Sequence, residues 1–255
     1  MNENRLEVLN CSAGYQTETV FRDLSLRFNP GETVTILGPS GCGKSTLLMT
    51  SSGLLSPLSG RVLLDGQKLE KADRRVGLIL QNYGLFPWMT VKQNIALGLK
   101  IQGGYKDSES AEFSDNAVSD IVHDLGLLGH EHKYPTELSG GQQQRVAIGR
   151  TLVLRPEVLL MDEPFSALDA MTRERLQELL LKLLGNRRMI SLLVTHSVEE
   201  AVFIGQRVIL MGRSRDNAIV REFVNPAAGS AEYREDPEYF NLCREVRAEL
   251  KSVDG

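Results

Sequence analysis

Residues Gly38-Pro39-Ser40-Gly41-Cys42-Gly43-Lys44-Ser45-Thr46 fit the pattern G-x-x-x-x-G-K-[ST]. The run before them, Glu32-Thr33-Val34-Thr35-Ile36-Leu37, is β-branched and apolar and predicts a strand. The run after them, Ser45-Thr46-Leu47-Leu48-Met49-Thr50, predicts the start of a helix. A glycine-rich turn between a buried strand and a helix N-terminus aims several backbone N–H groups at one point. The oxygens of a nucleoside triphosphate fit there. Lys44 would reach the β- and γ-phosphates, and the Ser45 hydroxyl would ligate Mg²⁺. This stretch sets the expectation of an α/β fold with a phosphate site at a strand–helix turn.

Bulk composition narrows the function classes. At 255 residues the chain has room for one large domain, or one domain with an inserted lobe. Its 42% hydrophobic content is ample for a packed core. A net charge of −4 gives no support to nucleic-acid binding, so no nucleic-acid partner is expected. Cys11, Cys42 and Cys243 are odd in number and show no C-x-x-C spacing. They predict neither a disulfide framework nor a zinc site, and they fit a reducing compartment. The start, Met1 to Arg5, is polar and leads into no apolar segment, so no signal peptide is expected. No apolar run approaches the ~18–20 residues that cross a bilayer. Any membrane role is then peripheral, through a partner.

Along the chain, residues 6–10 and 20–28 read as strands around a Gly14-Tyr15 turn. In the second, Leu24, Leu26 and Phe28 alternate with Ser25 and Arg27, the mark of a half-exposed antiparallel strand. Further strands are predicted at 61–66 and 76–80. From 90 to 154 the pattern turns helical: 91–101 and 117–128 carry helical periodicity, and polar 103–116 reads as a flexible surface connection. This is a helical lobe inserted into an α/β core. The α/β pattern returns with strands at 158–161, 189–194, 208–211 and 219–223, and helices at 171–184 and 198–204. A short tail, 226–255, holds a terminal helix over 237–250.

Two further runs carry chemistry. Asp162-Glu163 closes the apolar strand 158–161, where open α/β sheets bind ligands. Asp162 would hold Mg²⁺, directly or through water, and Glu163 would orient and deprotonate an attacking water. The plain alternative is a pair of carboxylates capping the next helix. The second run is Leu138-Ser139-Gly140-Gly141-Gln142-Gln143-Gln144-Arg145. Ser139 is a helix N-cap, with Val146, Ile148 and Leu152 as the buried stripe. Two glycines at a helix start cost about 1 kcal/mol each against alanine. Close approach of backbone to a phosphate would explain them, beside the plain reading of a capped helix.

At this point the chain resembles the ATP-binding-cassette (ABC) ATPases. Residues 138–142 resemble their LSGGQ signature, 38–46 their Walker A and 158–163 their Walker B, in the family's order and spacing. The resemblance covers roughly residues 5 to 225. It implies a P-loop core of mostly parallel sheet, an N-terminal antiparallel β-subdomain and an inserted helical subdomain. It also implies further roles. Tyr15 looks like the aromatic that stacks on adenine. Gln81 looks like the Q-loop glutamine, which contacts Mg²⁺ and the lytic water. Ser166-Ala167-Leu168-Asp169 looks like the D-loop, and His196 like the switch histidine on the γ-phosphate. Cys42 reads as a space-filler in the phosphate loop that bound nucleotide shields from alkylation.

The same resemblance implies a partner geometry. Ser139 and Gly141 would contact the γ-phosphate held by a second copy, so that two ATP molecules lie between head-to-tail protomers. The stretch Asn82-Tyr83-Gly84-Leu85-Phe86-Pro87-Trp88-Met89-Thr90-Val91 has the large apolar side chains of an interaction hot spot. In ABC importers this region receives the coupling helix of a membrane permease. The segment 85–91 and the tail with Asp236-Pro237-Glu238 are similar to the nitrate/sulfonate/taurine branch. The expectation is an importer's ATPase subunit on the cytoplasmic face of the membrane, with an extracytoplasmic substrate-binding protein completing the system. A permease-independent cassette and a small-molecule kinase remain as alternatives; the kinase leaves 138–142 and His196 without a task.

Overall fold

Thr33–Leu37 (β3) is buried along its whole length, as an apolar β-branched run between two layers must be. The computed structural model describes residues 5–15, 18–101, 108–185, 188–214 and 218–254. Around β3 lies a six-stranded sheet. Its other members are Val76–Ile79 (β6), Val158–Asp162 (β7), Ile190–Val194 (β8), Arg207–Met211 (β9) and Ile219–Val224 (β10). The order is β10-β9-β3-β8-β7-β6, parallel except for β10 at one edge. A second, antiparallel sheet has the order β2-β1-β4-β5, from Leu6–Tyr15 (β1), Glu18–Phe28 (β2), Ser59–Leu64 (β4) and Gln67–Lys68 (β5).

Side chains of the central strands divide by alternation, because successive residues point to opposite faces. Val34, Ile36, Val158, Leu160, Leu192 and Val194 pack toward the antiparallel sheet and Lys44–Ser51 (α1). Leu37, Leu159, Met161 and Leu193 pack toward the remaining helices. Those are Val91–Ile101 (α2), Ser108–Asp124 (α3), Gly140–Leu152 (α4), Ala170–Gly185 (α5), Val198–Ile204 (α6) and Pro237–Asp254 (α7). Helices α2, α3 and α4 pack on one another, and α7 lies along α6.

Several boundaries differ from the sequence reading. Strand β1 does not stop at Asn10 but runs on to Tyr15 through a bulged stretch where its register against β2 shifts. Asn10 takes a left-handed φ of 46° there, and its local signal is a turn signal. The polar stretch 103–116 is not all connection: helix α3 begins at Ser108, and residues 102–107 lie outside the described ones. No Gly or Pro interrupts 108–124, and Ala111 and Glu112 are good helix formers, so polarity alone misled the reading. The helix ends at Asp124 rather than Leu128, closed by Leu127 N–H on the Val122 carbonyl and Gly126 N–H on that of His123. The two-residue β5 carries no periodic signal. Among the described residues, no helix is long and apolar enough to cross a membrane.

Candidate functional site

Parallel strands place their C-terminal ends on one edge, and four neighbours in this sheet deliver polar loops there. The phosphate loop follows β3, His196 follows β8, Glu163 follows β7 and Gln81 follows β6. Backbone hydrogen bonds tie the loops together: Glu163 N–H donates to Val194 O at 2.9 Å, and Thr195 N–H to Ile36 O at 3.2 Å. Residues distant in sequence therefore share one rim.

The loop from Gly38 to Gly43 is shaped by close packing. A Cβ at Gly38 would lie 2.4 Å from Met211 O on β9. Gly43 caps α1 with a left-handed φ of 107°, and a Cβ there would meet Val20 Cγ1 at 2.7 Å. Lys44 is 9% exposed and folds back onto the loop, its Nζ donating to Gly38 O at 2.7 Å and Pro39 O at 2.9 Å. Ser40, Gly41 and Ser45 are exposed on the rim, while Pro39 and Thr46 are buried beneath it. Cys42 is only 4% exposed, its Sγ 3.9 Å from Lys44 Nζ, and burial pushes its thiol pKa up despite the nearby lysine. Fold packing already covers it without nucleotide.

The Asp162 carboxyl is hydrogen-bonded with Ser45. Burial raises its pKa, the neighbouring Glu163 charge adds to the rise, and Ser45 and Lys44 oppose it. A carboxylate and a hydroxyl side by side suit a hard cation with oxygen ligands. Among the described residues no cluster of three or more acidic, His or Cys side chains forms a closed cage.

Glu163 takes a left-handed φ of 46°, which turns its side chain toward the rim. Two groups converge on its Oε2: Gln81 Nε2 donates at 3.1 Å, and His196 Nδ1 stands at 3.3 Å. Among the described residues both of these contacts fall on Oε2, which leaves Oε1 able to accept from water. Behind His196, Thr195 Oγ1 donates to Glu200 Oε2 at 2.5 Å, with Arg173 Nε at 3.5 Å from Glu200 Oε1. Burial raises the Glu200 pKa, opposed by Thr195 and Arg173. The sequence reading passed over this buried support because Thr195, Glu200 and Arg173 show no motif of their own.

The 139–142 motif lies at the N-terminus of α4. Ser139 caps it in a reciprocal box: its Oγ accepts from Gln142 N–H at 3.3 Å, and its own N–H donates to Gln142 Oε1 at 3.0 Å. Gln142 Nε2 also lies 3.0 Å from His130 Nε2. Val146, Ile148 and Leu152 are the buried stripe. Gly140 is open, but Gly141 is buried, and a Cβ there would meet Thr172 Cγ2 at 2.4 Å. The second glycine thus has a packing cause inside the chain. Asp169 caps α5, its Oδ1 accepting from Thr172 N–H at 3.1 Å, and hydrogen bonding to the Thr172 side chain, then to its backbone, lowers the Asp169 pKa. Tyr15 ends β1, 52% exposed. The rim thus gathers Lys44, Ser45, Gln81, Asp162, Glu163 and His196. The hydrogen bonds of Ser139, Gln142 and Asp169 run to other partners.

A phosphate loop feeding a helix from a central parallel strand, with carboxylates at the end of the strand two places away, defines a P-loop nucleotide hydrolase. Residues 21–166 match the family model described as ABC transporter, and the chain belongs to that family, whose cassettes bind and hydrolyse ATP. It is 41% identical over 238 residues to the nitrate import ATP-binding protein NrtD of Synechocystis sp., covering 90% of this chain and 87% of that one. It is 43% identical over 207 residues to the taurine import ATP-binding protein TauB of Roseobacter denitrificans, covering 81% and 75%. Its fold superposes with a TM-score of 0.74 on the ATP-binding cassette MJ0796, solved as a post-hydrolysis dimer with ADP and Pi. That match is 32% identical and covers 86% of this chain and 98% of the other.

Proposed function

We propose that the chain is the ATPase subunit of an importer for a small anion of the nitrate, sulfonate or taurine kind. It works as a head-to-tail dimer on the cytoplasmic face of the membrane, docked on a separate permease. A substrate-binding protein outside the membrane delivers the solute. The relatives matched over most of their length are import ATP-binding proteins, which supports this reading over a permease-independent cassette.

The observation that carries the chemistry is the convergence of Gln81 and His196 on one oxygen of Glu163. With Oε2 held from both sides, Oε1 faces the rim as the general base for water. Lys44 leaves the Gly38 and Pro39 carbonyls to take the phosphates, beside the N–H groups of residues 40–46. Ser45 and Asp162, with Gln81, would hold Mg²⁺, which would supply charge neutralisation for the transferring phosphoryl group. Tyr15 stacks on adenine. Ser139, Gly140, Gly141 and Gln142 present a capped helix N-terminus to the γ-phosphate of the partner, with Asp169 across the same seam. ATP then closes the dimer, and hydrolysis reopens it.

Glu163→Gln keeps the shape and an acceptor for Gln81 but loses the base. It should bind ATP normally, accumulate as the dimer in size exclusion, and hydrolyse about 10²–10⁴ times more slowly. Hydrolysis at the normal rate would remove Glu163 from the role. Co-purification of the chain with an integral membrane protein tests the transport half.

A further inference from the structure

The loop 83–90 is gripped from two helices. Asn94 on α2 is 0% exposed. Its Oδ1 accepts from Phe86 N–H at 2.9 Å. Its Nδ2 donates toward Phe86 O at 3.1 Å, Met89 O at 2.9 Å and Thr90 O at 3.1 Å. An amide has only two N–H donors, so one is shared among these carbonyls. Arg150 near the end of α4 donates from Nη1 to Gly84 O at 2.6 Å and from Nη2 to Tyr83 O at 3.0 Å. Its guanidinium also lies over the Phe86 ring, 5.9 Å from the centroid. Burial holds the Arg150 pKa below the usual value, as expected where carbonyls and a ring replace water. Tyr83, whose carbonyl Arg150 holds, takes a left-handed φ of 51°.

Helix α4 is one rigid rod of 13 residues, about 20 Å long. Arg150 is near one end, and Ser139 caps the other. Two residues before Tyr83 is Gln81, bonded to Glu163. We propose that Arg150 is a positioning residue that ties loop 83–90 to the helix carrying the 139–142 motif, so that loop and motif move as one body. This rests on the reading that the motif engages nucleotide across the dimer. Both hydrogen bonds of Arg150 run to backbone carbonyls, so they do not depend on the side chains of residues 83 and 84. The planar fork binds two successive carbonyls, which a lysine ammonium cannot match in geometry.

The chain reports on itself, because its single tryptophan, Trp88, lies in the loop and is 69% exposed. The measurement is Trp88 emission and anisotropy of the purified full chain in the Glu163→Gln background, titrated with Mg-ATP. The expected result is a nucleotide-dependent shift that Arg150→Gln loses and Arg150→Lys retains only in part. Over the same titration, binding of a fluorescent ATP analogue and, with Glu163 restored, basal ATPase stay within about twofold. Asn94→Ala should lower Trp88 anisotropy before any nucleotide is added. A purely local packing role would lower the melting temperature of Arg150→Gln but leave the shift intact, and that result overturns the proposal. Absence of a shift in the Glu163→Gln parent, with dimer formation verified by size exclusion, also overturns it. Should Arg150→Gln fail to fold, Arg150→Lys decides by the same reading. No permease is used, so a failed co-purification would count against the importer reading alone; a Glu163→Gln chain that stays monomeric with ATP would count against the dimer.

Discussion

Replacing Gly141 by alanine separates two reasons for a glycine at the start of α4. The added methyl would sit 2.4 Å from Thr172 Cγ2, about 1 Å inside ordinary carbon contact. Overpacking of this kind costs about 1–3 kcal/mol, while the helix preference of alanine returns at most about 1 kcal/mol. The net is a loss of up to about 2 kcal/mol, or about 4–8 °C in Tm at the upper end for a chain of this size. Thr172→Ala removes Cγ2 and leaves a Cβ 3.8 Å from the new methyl, which is ordinary contact. The double variant should therefore recover the stability that the single one loses. Gly140→Ala is the control: its methyl meets nothing nearer than Tyr83 Oη at 3.6 Å, so its stability should hold or rise slightly. The assay is thermal melting of the four proteins of the cycle together with their ATPase rates. If backbone approach to the partner's phosphate is the second reason, ATPase stays low in the double variant after its Tm has returned. A Gly141→Ala protein melting at or above the parent, with coupling to Thr172 under about 0.5 kcal/mol, would refute the steric argument.

Two other outcomes concern the rim and a third the buried thiols. Lys44→Ala should abolish ATP binding and, by leaving the Gly38 and Pro39 carbonyls without their donor, lower stability by about 1–3 kcal/mol, read by calorimetry and chemical denaturation. The folded Asp162 pKa is raised by burial, so its contribution to stability is present below the unfolded value and is lost as pH rises through the folded one. Asp162→Asn should therefore melt higher than the parent at neutral pH, with the gain shrinking as pH falls into the carboxylate range, while Mg²⁺-dependent ATPase is lost. All three cysteines are buried; burial raises the thiol pKa of Cys42 and Cys243, and that of Cys11 to about 11. A chromogenic thiol reagent should label the native chain slowly whether or not ATP is present, and all three thiols after unfolding.

Much of the fold was legible because its signals are local. The run at 33–37, the alternation at Leu24, Leu26 and Phe28, and the stripe Val118, Ile121, Val122 and Leu125 each announce their element within a few residues. Legibility failed where the deciding contact is distant. Strand β1 continues past Asn10 because β2 and β4 pair with it, and β5 exists only as the return of a hairpin on β4. The start of α3 was masked by a polar composition that is equally at home in a loop.

Of the residues that touch nucleotide in the proposed scheme, those at 38–46, 139–142 and 162–163 stand in short runs whose residue types suit the chemistry, whereas Tyr15, Gln81, Asp169 and His196 stand out only through resemblance to a family. Neither route gives their mutual arrangement. Which oxygen of Glu163 faces Gln81 and His196, why a side chain at Gly141 would crowd Thr172, and how Arg150 and Asn94 hold loop 83–90 depend on strand order and helix packing. The physical reason is that a motif fixes backbone shape over a handful of residues, whereas a hydrogen bond between residues 67 or 82 positions apart exists only after the core has closed.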